Sequence, residues 1–242
     1  MPPYLSIVLP AHNEEERLPD SLNRIHAFLA GQTWASEVVV VENGSRDQTA
    51  QVAEAFARRH DHVRVLREAL PGKGRAVRRG ILAAGGDYRF ICDVDLSMPI
   101  EQVVRFLPPA QAEAAIVIAS REAPGAVRYN EPAHRHWIGR GFNLLVRLLA
   151  VPGLQDTQCG FKCFRADAAE ELFRLQVLNG WTFDVEVLFL ARRRGYRILE
   201  IPIPWTHVPG SRVRLARDSF AMLADLLRIR WYAARGRYGP PR

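Results

Sequence analysis

An α/β protein with a mostly parallel central sheet flanked by helices is the fold class this sequence predicts. Three observations carry that prediction. Apolar runs alternate with amphipathic segments in a βαβ rhythm through the first half of the chain. The apolar run at residues 88–92 reads as a buried strand that breaks off at two carboxylates, Asp93 and Asp95. The 242 residues, 48% of them apolar and 24% charged, suffice to bury a sizeable core.

Taken in order, the apolar runs at residues 4–9, 37–41, 63–66, 88–92 and 115–119 are expected as strands. Helical patterns at 15–29, 46–59 and 73–84 fall between them, and parallel strands joined in this way close through right-handed crossovers. A further helix at 99–107 opens with Ser97 as a cap and Pro99 in its first turn. Residues 122–132, with Pro, Gly and charge, are expected as a mobile loop over the edge of the sheet. A helix near 135–149, a short strand at 161–164, helices at 167–174 and 183–193, and a strand at 196–201 follow. The final helix, 215–234, is amphipathic, with Phe220, Leu223, Leu227 and Trp231 on one stripe and Arg217, Arg228 and Arg235 on another face.

The formal net charge of +7 suggests a polyanionic partner until it is located. Residues 210–242 hold eight arginines against Asp218 and Asp225, so nearly all of the excess sits in the tail. That placement, without interleaved aromatic platforms, argues against a nucleic-acid-binding module. The longest apolar candidate for a membrane span, 142–154, is interrupted by Arg147 and Pro152 and falls short of the roughly 18 residues required. The first strand begins almost at once, so no signal peptide is expected. Cys92, Cys159 and Cys163 form no Cys-x-x-Cys pair and are expected as packed thiols in a reducing compartment.

Chemistry is concentrated at the strand ends, where ligands bind in open α/β sheets. The first strand ends in Pro10-Ala-His-Asn13-Glu14-Glu15 and the second in Glu42-Asn43-Gly44-Ser45-Arg-Asp47. Next comes Pro71-Gly72-Lys73-Gly74-Arg75, whose glycines let backbone approach a ligand at a helix start while Lys73 supplies a charge suited to phosphate. The spacing is not that of a Walker loop, and no G-x-G-x-x-G follows the first strand, which argues against a nicotinamide or flavin domain. Side chains two apart on a strand share a face, so Asp93 and Asp95 could hold one divalent cation; the alternative is a pair of solvated turn carboxylates. A nucleotidylyltransferase also uses acidic strand ends, but its Gly-rich loop follows the first strand, where this chain has Pro10-Ala-His-Asn-Glu14.

As a set and in this order, these clusters resemble the family 2 inverting glycosyltransferases, in the branch of dolichyl-phosphate mannose synthase and dolichyl-phosphate glucosyltransferase. The matching stretches are Val8-Leu-Pro-Ala-His-Asn-Glu14, Val41-Glu-Asn-Gly-Ser-Arg-Asp-Gln-Thr49, Gly72-Lys-Gly-Arg-Ala76 with Gly80, Asp93-Val-Asp-Leu-Ser97, Ala119-Ser-Arg121, Asp156-Thr-Gln-Cys-Gly-Phe-Lys162 and Phe183-Asp-Val-Glu186. They span about residues 5–215. The resemblance implies a GT-A type single domain over 1–211, with a nucleotide-sugar half to about 120 and an acceptor half beyond it, and a basic amphipathic helix and tail over 212–242. It implies a metal-dependent transfer of a hexose from a nucleotide sugar, UDP-glucose first and GDP-mannose second, to a polyprenyl or dolichyl phosphate. A family 2 enzyme with a soluble or glycan hydroxyl acceptor is the alternative.

Carried over residue by residue, Asp95 is the principal ligand of Mg²⁺ or Mn²⁺, Asp93 faces the ribose or the metal, and Ser97 stands where relatives often supply a third ligand. Pro10, Ala11, Asn13, Glu14, Glu42, Asn43, Gly44, Ser45, Lys73 and Val94 fall where relatives line the nucleotide. Asn43 departs from the commoner aspartate of the Asp-Asp-Gly-Ser motif. Asp156 and Glu186 are candidates for a carboxylate near the sugar, Asp156 counted as catalytic with Asp95 and Arg121, whereas the plain reading of Glu186 has it facing solvent or pairing with an arginine of its own helix. Arg121, Arg135 and Arg212 stand where relatives face an acceptor phosphate. The tail, Gly210-Ser-Arg-Val213 and the helix after it, resembles a juxtamembrane segment that lies on an anionic lipid surface, its competing placement being against the catalytic domain or a second subunit. A peripheral location on the cytoplasmic membrane face is expected; the oligomeric state is left open.

Overall fold

The computed structural model describes residues 2–208 and 215–240, with the backbone alone for 134–135 and 215–220. Seven strands form one sheet in the order β3-β2-β1-β4-β7-β5-β8. They are β1 (Leu5–Ala11), β2 (Ser36–Asn43), β3 (Val63–Glu68), β4 (Tyr88–Ile91), β5 (Ile116–Ser120), β7 (Lys162–Arg165) and β8 (Ile198–Pro202). Only β7 runs antiparallel to its neighbours, β4 and β5. The helices are α1 (Leu18–Ala30), α2 (Thr49–Ala57), α3 (Lys73–Ala83), α4 (Ala133–Leu149), α5 (Ala166–Leu175), α6 (Phe183–Arg193) and α7 (Leu215–Ala234).

The sheet is covered on both faces, which is why β1, β2 and β5 carry continuous apolar runs. Along β2, Val38 and Val40 face the layer containing α1 and α2, while Val39 and Val41 face α3 on the other side. Helix α3 sits flush on the sheet at Gly80, where a Cβ would lie 2.3 Å from Val8 Cγ1. Any side chain there would lift the helix whose first turn carries Lys73.

Two expectations are corrected. Residues 127–129 are not a free loop: β6 (Val127–Tyr129) pairs in parallel with β9 (Pro204–Thr206). Arg128 braces this segment, donating to the Arg121 carbonyl at 3.1 Å and to Glu131 at 2.6 Å, and pairing with Glu122. Residues Ile100–Phe106 form a 3₁₀ helix, with Pro99 rather than Ser97 at its N-cap. Ser97 instead ties the preceding turn together, its backbone N–H donating to Asp95 Oδ1 at 3.0 Å.

Helix α7 packs partly by the expected stripe, since Leu223 is half-buried against the core, and chiefly by a neighbouring one. Met222, Leu226 and Ile229 are buried, Leu226 and Ile229 in the core layer shared with α4 and α6, whereas Leu227 and Trp231 are exposed. The chain beyond it is anchored as well: Tyr238 is 1% exposed and donates its hydroxyl to Glu186 Oε1 at 2.7 Å. Arg194 donates to the Tyr238 carbonyl at 2.8 Å and to the Pro240 carbonyl at 2.5 Å. The described part of the tail is therefore bound to the catalytic domain, the competing placement noted above. Arg212 and Gly210-Ser-Arg-Val213 lie outside the described residues, as do the side chains of Arg135, Arg217 and Phe220.

Candidate active site

The carboxyl ends of β1, β2, β4 and β5 open into a cavity of about 450 Å³, a volume in the usual range for a ligand site. Its wall includes Pro10, Ala11 and Glu14 after β1, Asn43 at the end of β2, Lys73 at the start of α3, Asp93, Val94, Asp95 and Ser97 after β4, and Arg121 after β5. The sequence-predicted residues Asn13, Glu42, Gly44, Ser45 and Asp156 do not line it but stand behind the wall.

The loops after β1 and β2 are laced together. Asn13, with a left-handed φ of 52°, donates its backbone N–H to Ser45 Oγ at 3.0 Å and accepts the Arg46 N–H on its side-chain oxygen at 2.8 Å. The Glu42 carboxylate accepts the Ser45 N–H at 2.5 Å, closing the turn at Gly44. Asn43 explains its own departure from aspartate: its amide donates to the Leu70 carbonyl and its oxygen accepts the Gly72 N–H, both at 2.8 Å. A carboxylate could accept but not donate, so asparagine braces the glycine loop on both sides. Gly72, at φ 149° and with no room for a Cβ beside the Asn179 carbonyl, lets that loop deliver Lys73 to the cavity.

Lys73 Nζ sits 2.7 Å from Asp93 Oδ1 and 3.0 Å from Oδ2. Burial works against its charge, but Asp93, Asp184 and Asp95 outweigh that and raise its pKa. Gly160 is required beside this pair, because a Cβ there would lie 2.1 Å from Asp93 Oδ2. Strand β4 ends at Ile91, so Asp93 and Asp95 share the cavity through the turn that follows and not through strand alternation. The two carboxylates also differ: Asp93 is straddled by Lys73, while Asp95 accepts one hydrogen bond, from the Ser97 N–H, and Oδ2 has no protein donor among the described residues.

No group of three His, Cys, Asp or Glu side chains among the described residues could hold a metal by itself. A free carboxylate oxygen on Asp95 with the Ser97 hydroxyl nearby is nevertheless a hard-oxygen donor set suited to Mg²⁺ or Mn²⁺, which take remaining ligands from phosphate and water.

Asp156 corrects the expectation of a carboxylate free to work at the sugar. It is 2% exposed and forms a two-pronged ion pair with Arg121, Nε to Oδ2 at 2.7 Å and Nη2 to Oδ1 at 2.9 Å, with the Arg121 N–H at 3.0 Å. Burial alone would raise its pKa, but the charge and hydrogen bonds of Arg121 pull it down to about 2. Asp156 thereby orients Arg121, whose guanidinium lies over the Trp205 ring and leaves Nη1 without a protein partner among the described residues.

Glu186 fits neither expectation for it. It is wholly buried away from the cavity, accepts the Val177 and Leu178 N–H groups at 3.0 and 2.8 Å, and has its pKa raised by burial. The three cysteines are buried thiols as expected, with burial raising each pKa, to about 11 at Cys159.

Sequence reasoning missed Trp181, Asp184 and Trp205 in the wall. Asp184 lies inside the Phe183-Asp-Val-Glu186 stretch, so its motif was visible; Trp205 enters through the β6–β9 pairing, which carried no local signal.

Residues 6–173 match the family model described as Glycosyl transferase family 2. The chain is 32% identical to dolichyl-phosphate beta-glucosyltransferase ALG5C of Trichomonas vaginalis, covering 96% of this chain and 72% of that protein. It is 34% identical to the dolichyl-phosphate beta-glucosyltransferase of Homo sapiens, over 93% of this chain and 74% of that one. Among solved structures, the glucosyl-3-phosphoglycerate synthase of Mycobacterium tuberculosis in complex with UDP superposes with a TM-score of 0.65 at 22% identity, covering 99% of this chain and 82% of that one. At that identity the structural likeness speaks to the fold, a GT-A type sheet with its flanking helices. With the family match spanning most of the chain and the relatives agreeing over nearly all of it, the chain belongs to glycosyl transferase family 2 and is a glycosyltransferase.

Proposed function

We propose that the protein transfers a hexose, glucose from UDP-glucose, to a polyprenyl or dolichyl phosphate with inversion. The observation that carries this reading is the state of Asp156 and Arg121. A carboxylate with a pKa of about 2 is a poor general base, as attack by a sugar hydroxyl would require. A phosphate monoester has a second pKa near 6 and arrives as an ionised nucleophile. What such an acceptor needs is a positioned cation, and Arg121 presents its remaining edge to the cavity with Asp156 fixing its orientation. The names of the relatives, dolichyl-phosphate beta-glucosyltransferases, support the same acceptor and sugar.

Each residue then has a task. The loops of Pro10–Glu14 and Asn43 face the nucleoside, and Lys73 at the amino end of α3 faces the diphosphate, where helix polarity and charge both favour an anion. Asp95 and Ser97 would hold Mg²⁺ or Mn²⁺, with Asp93 beside them on the nucleotide side. A divalent cation there, when bound, supplies Lewis-acid neutralisation of the departing nucleoside diphosphate. Arg121 holds the acceptor oxygen in line with the donor's anomeric carbon, and Trp205 backs its guanidinium.

No helix of the described residues is long and apolar enough to cross a membrane. Helices α4 and α7, which pack together, leave Trp137, Leu144, Leu148, Leu227 and Trp231 exposed, with exposed Arg140, Arg147 and Arg228 on the same two helices and Arg235 just beyond the end of α7. Such an apolar face with arginines suits the headgroup region of an anionic bilayer, where a lipid phosphate would be presented. Incubation with labelled UDP-glucose and either polyprenyl phosphate or free saccharides tests the function: label entering the chloroform phase is expected, and transfer to saccharide alone would overturn it.

A further inference from the structure

The geometry points to a sugar-recognition role for Asp184: its carboxylate, held by Lys162, accepts hydrogen bonds from hydroxyls of the donor's hexose and selects among sugars. The inference rests on the nucleotide-sugar reading above and adds a residue to which that reading gives no task. Asp184 is the second residue of α6, is 6% exposed and lines the cavity. Its Oδ1 lies 2.7 Å from Lys162 Nζ, itself 1% exposed, and that ammonium also donates to the Cys159 carbonyl. Oδ2 has no hydrogen-bond partner among the described residues.

A buried ion pair is a poor stabiliser, since desolvating two ions consumes what their attraction returns, and an apolar pair of similar volume does as well. The structural work of this stretch is done by its neighbours: Thr182 donates to Asp225 at 3.0 Å, and Glu186 holds Val177, Leu178 and Tyr238. What the Lys162–Asp184 pair places on the wall of a ligand cavity is a carboxyl oxygen without a protein donor among the described residues, in front of a lysine that the ligand cannot reach; burial raises the Asp184 pKa, and the charges of Lys162 and Lys73 oppose that rise. A neutral hexose offers hydroxyl donors, and charge-assisted bonds to them are strong and direction-dependent. The other acidic groups of the cavity are committed: Asp93 to Lys73, Glu14 to Arg17, and Asp95 to the Ser97 N–H and the metal position. A site that hydrogen-bonds a substrate hydroxyl rejects an analogue lacking it, so Asp184 would set sugar choice.

The test is calorimetric binding of UDP, UDP-glucose and UDP-glucose analogues each lacking one hexose hydroxyl, with Mn²⁺, to the full chain. Wild type is expected to lose about ten- to one-hundred-fold affinity for at least one deoxy analogue, the range for hydrogen bonds to charged groups. Asp184→Asn should bind UDP within about three-fold of wild type, lose the same factor for UDP-glucose, and no longer distinguish that analogue. Because D184N leaves Lys162 buried without its partner, the double variant K162M/D184N is measured beside it, with thermal melting to confirm folding. Equal wild-type affinity for all analogues, unchanged UDP-glucose binding in the folded double variant, or equal losses for UDP and UDP-glucose would overturn the assignment. A wild type that binds UDP-glucose while the variants are indifferent to it sinks this inference alone. A wild type that binds neither UDP nor UDP-glucose removes the donor reading and the inference together.

Discussion

At the scale of single residues, the site separates groups that the motifs present as equivalents. Asp93 and Asp95 stand one residue apart in sequence, yet Lys73 claims the first and leaves an oxygen of the second open. Asp95→Ala is expected to lower transfer at saturating Mn²⁺ by at least about a hundred-fold, the order seen when transition-state charge stabilisation is lost; a radioactive transfer assay measures it, and full activity would refute the metal position. The Asp156–Arg121 pair makes a pH prediction. The folded-state pKa of Asp156, about 2, lies below its ordinary 3.8, so its stabilising contribution is complete above pH 4 and is lost as pH falls through about 2. The shift corresponds to about 2 kcal/mol, and urea unfolding from pH 6 to pH 2 should show a shallower acid loss in D156N than in wild type.

At the scale of elements, the short pieces carry the positioning. Arg128 fastens the β6 segment to the Arg121 carbonyl and to Glu131, so the stretch after the cavity is a strap with its own partners. Arg128→Met is expected to speed amide exchange across residues 122–131 while leaving β1 and β2 protected; unchanged exchange would mean that the β6–β9 pairing suffices. Beyond α7, the Tyr238 hydroxyl and the buried Glu186 carboxylate pin the tail to the α5–α6 connection. Tyr238→Phe leaves one buried oxygen short of a donor and should cost about 1–3 kcal/mol in urea unfolding, with the midpoint reduced. Both contacts join residues far apart in sequence, and no local pattern announces either.

At the scale of the molecule, one cavity at the carboxyl edge of the sheet collects groups from most of the chain, and the paired helices α4 and α7 leave apolar and arginine side chains exposed. Substituting Trp137 and Leu148 together by serine should weaken sedimentation with anionic vesicles several-fold while UDP binding persists, because each exposed apolar side chain removed forfeits its burial in the headgroup region. Equal sedimentation would remove this face from the membrane reading. Much of this architecture was legible in sequence. The strands that form the parallel core, the helix beginning at Lys73, the acidic turn after β4 and the expectation of packed thiols all rest on local signals: apolar runs, turn glycines and spacing within a dozen residues. The family resemblance followed from the order of those clusters. Beyond reach were the pairing of β6 with β9, which brings Trp205 to Arg121, the stripe by which α7 packs, the burial of Glu186, and the locking of Asp156. Each is a contact between segments far apart in the chain, where several partners satisfy the same local chemistry. Sequence by itself thus determined which groups the site can use, since residue type and local spacing suffice for that. Only tertiary structure decided which carboxylate is free to act, because a charge is spent or available according to the partner that folding sets beside it.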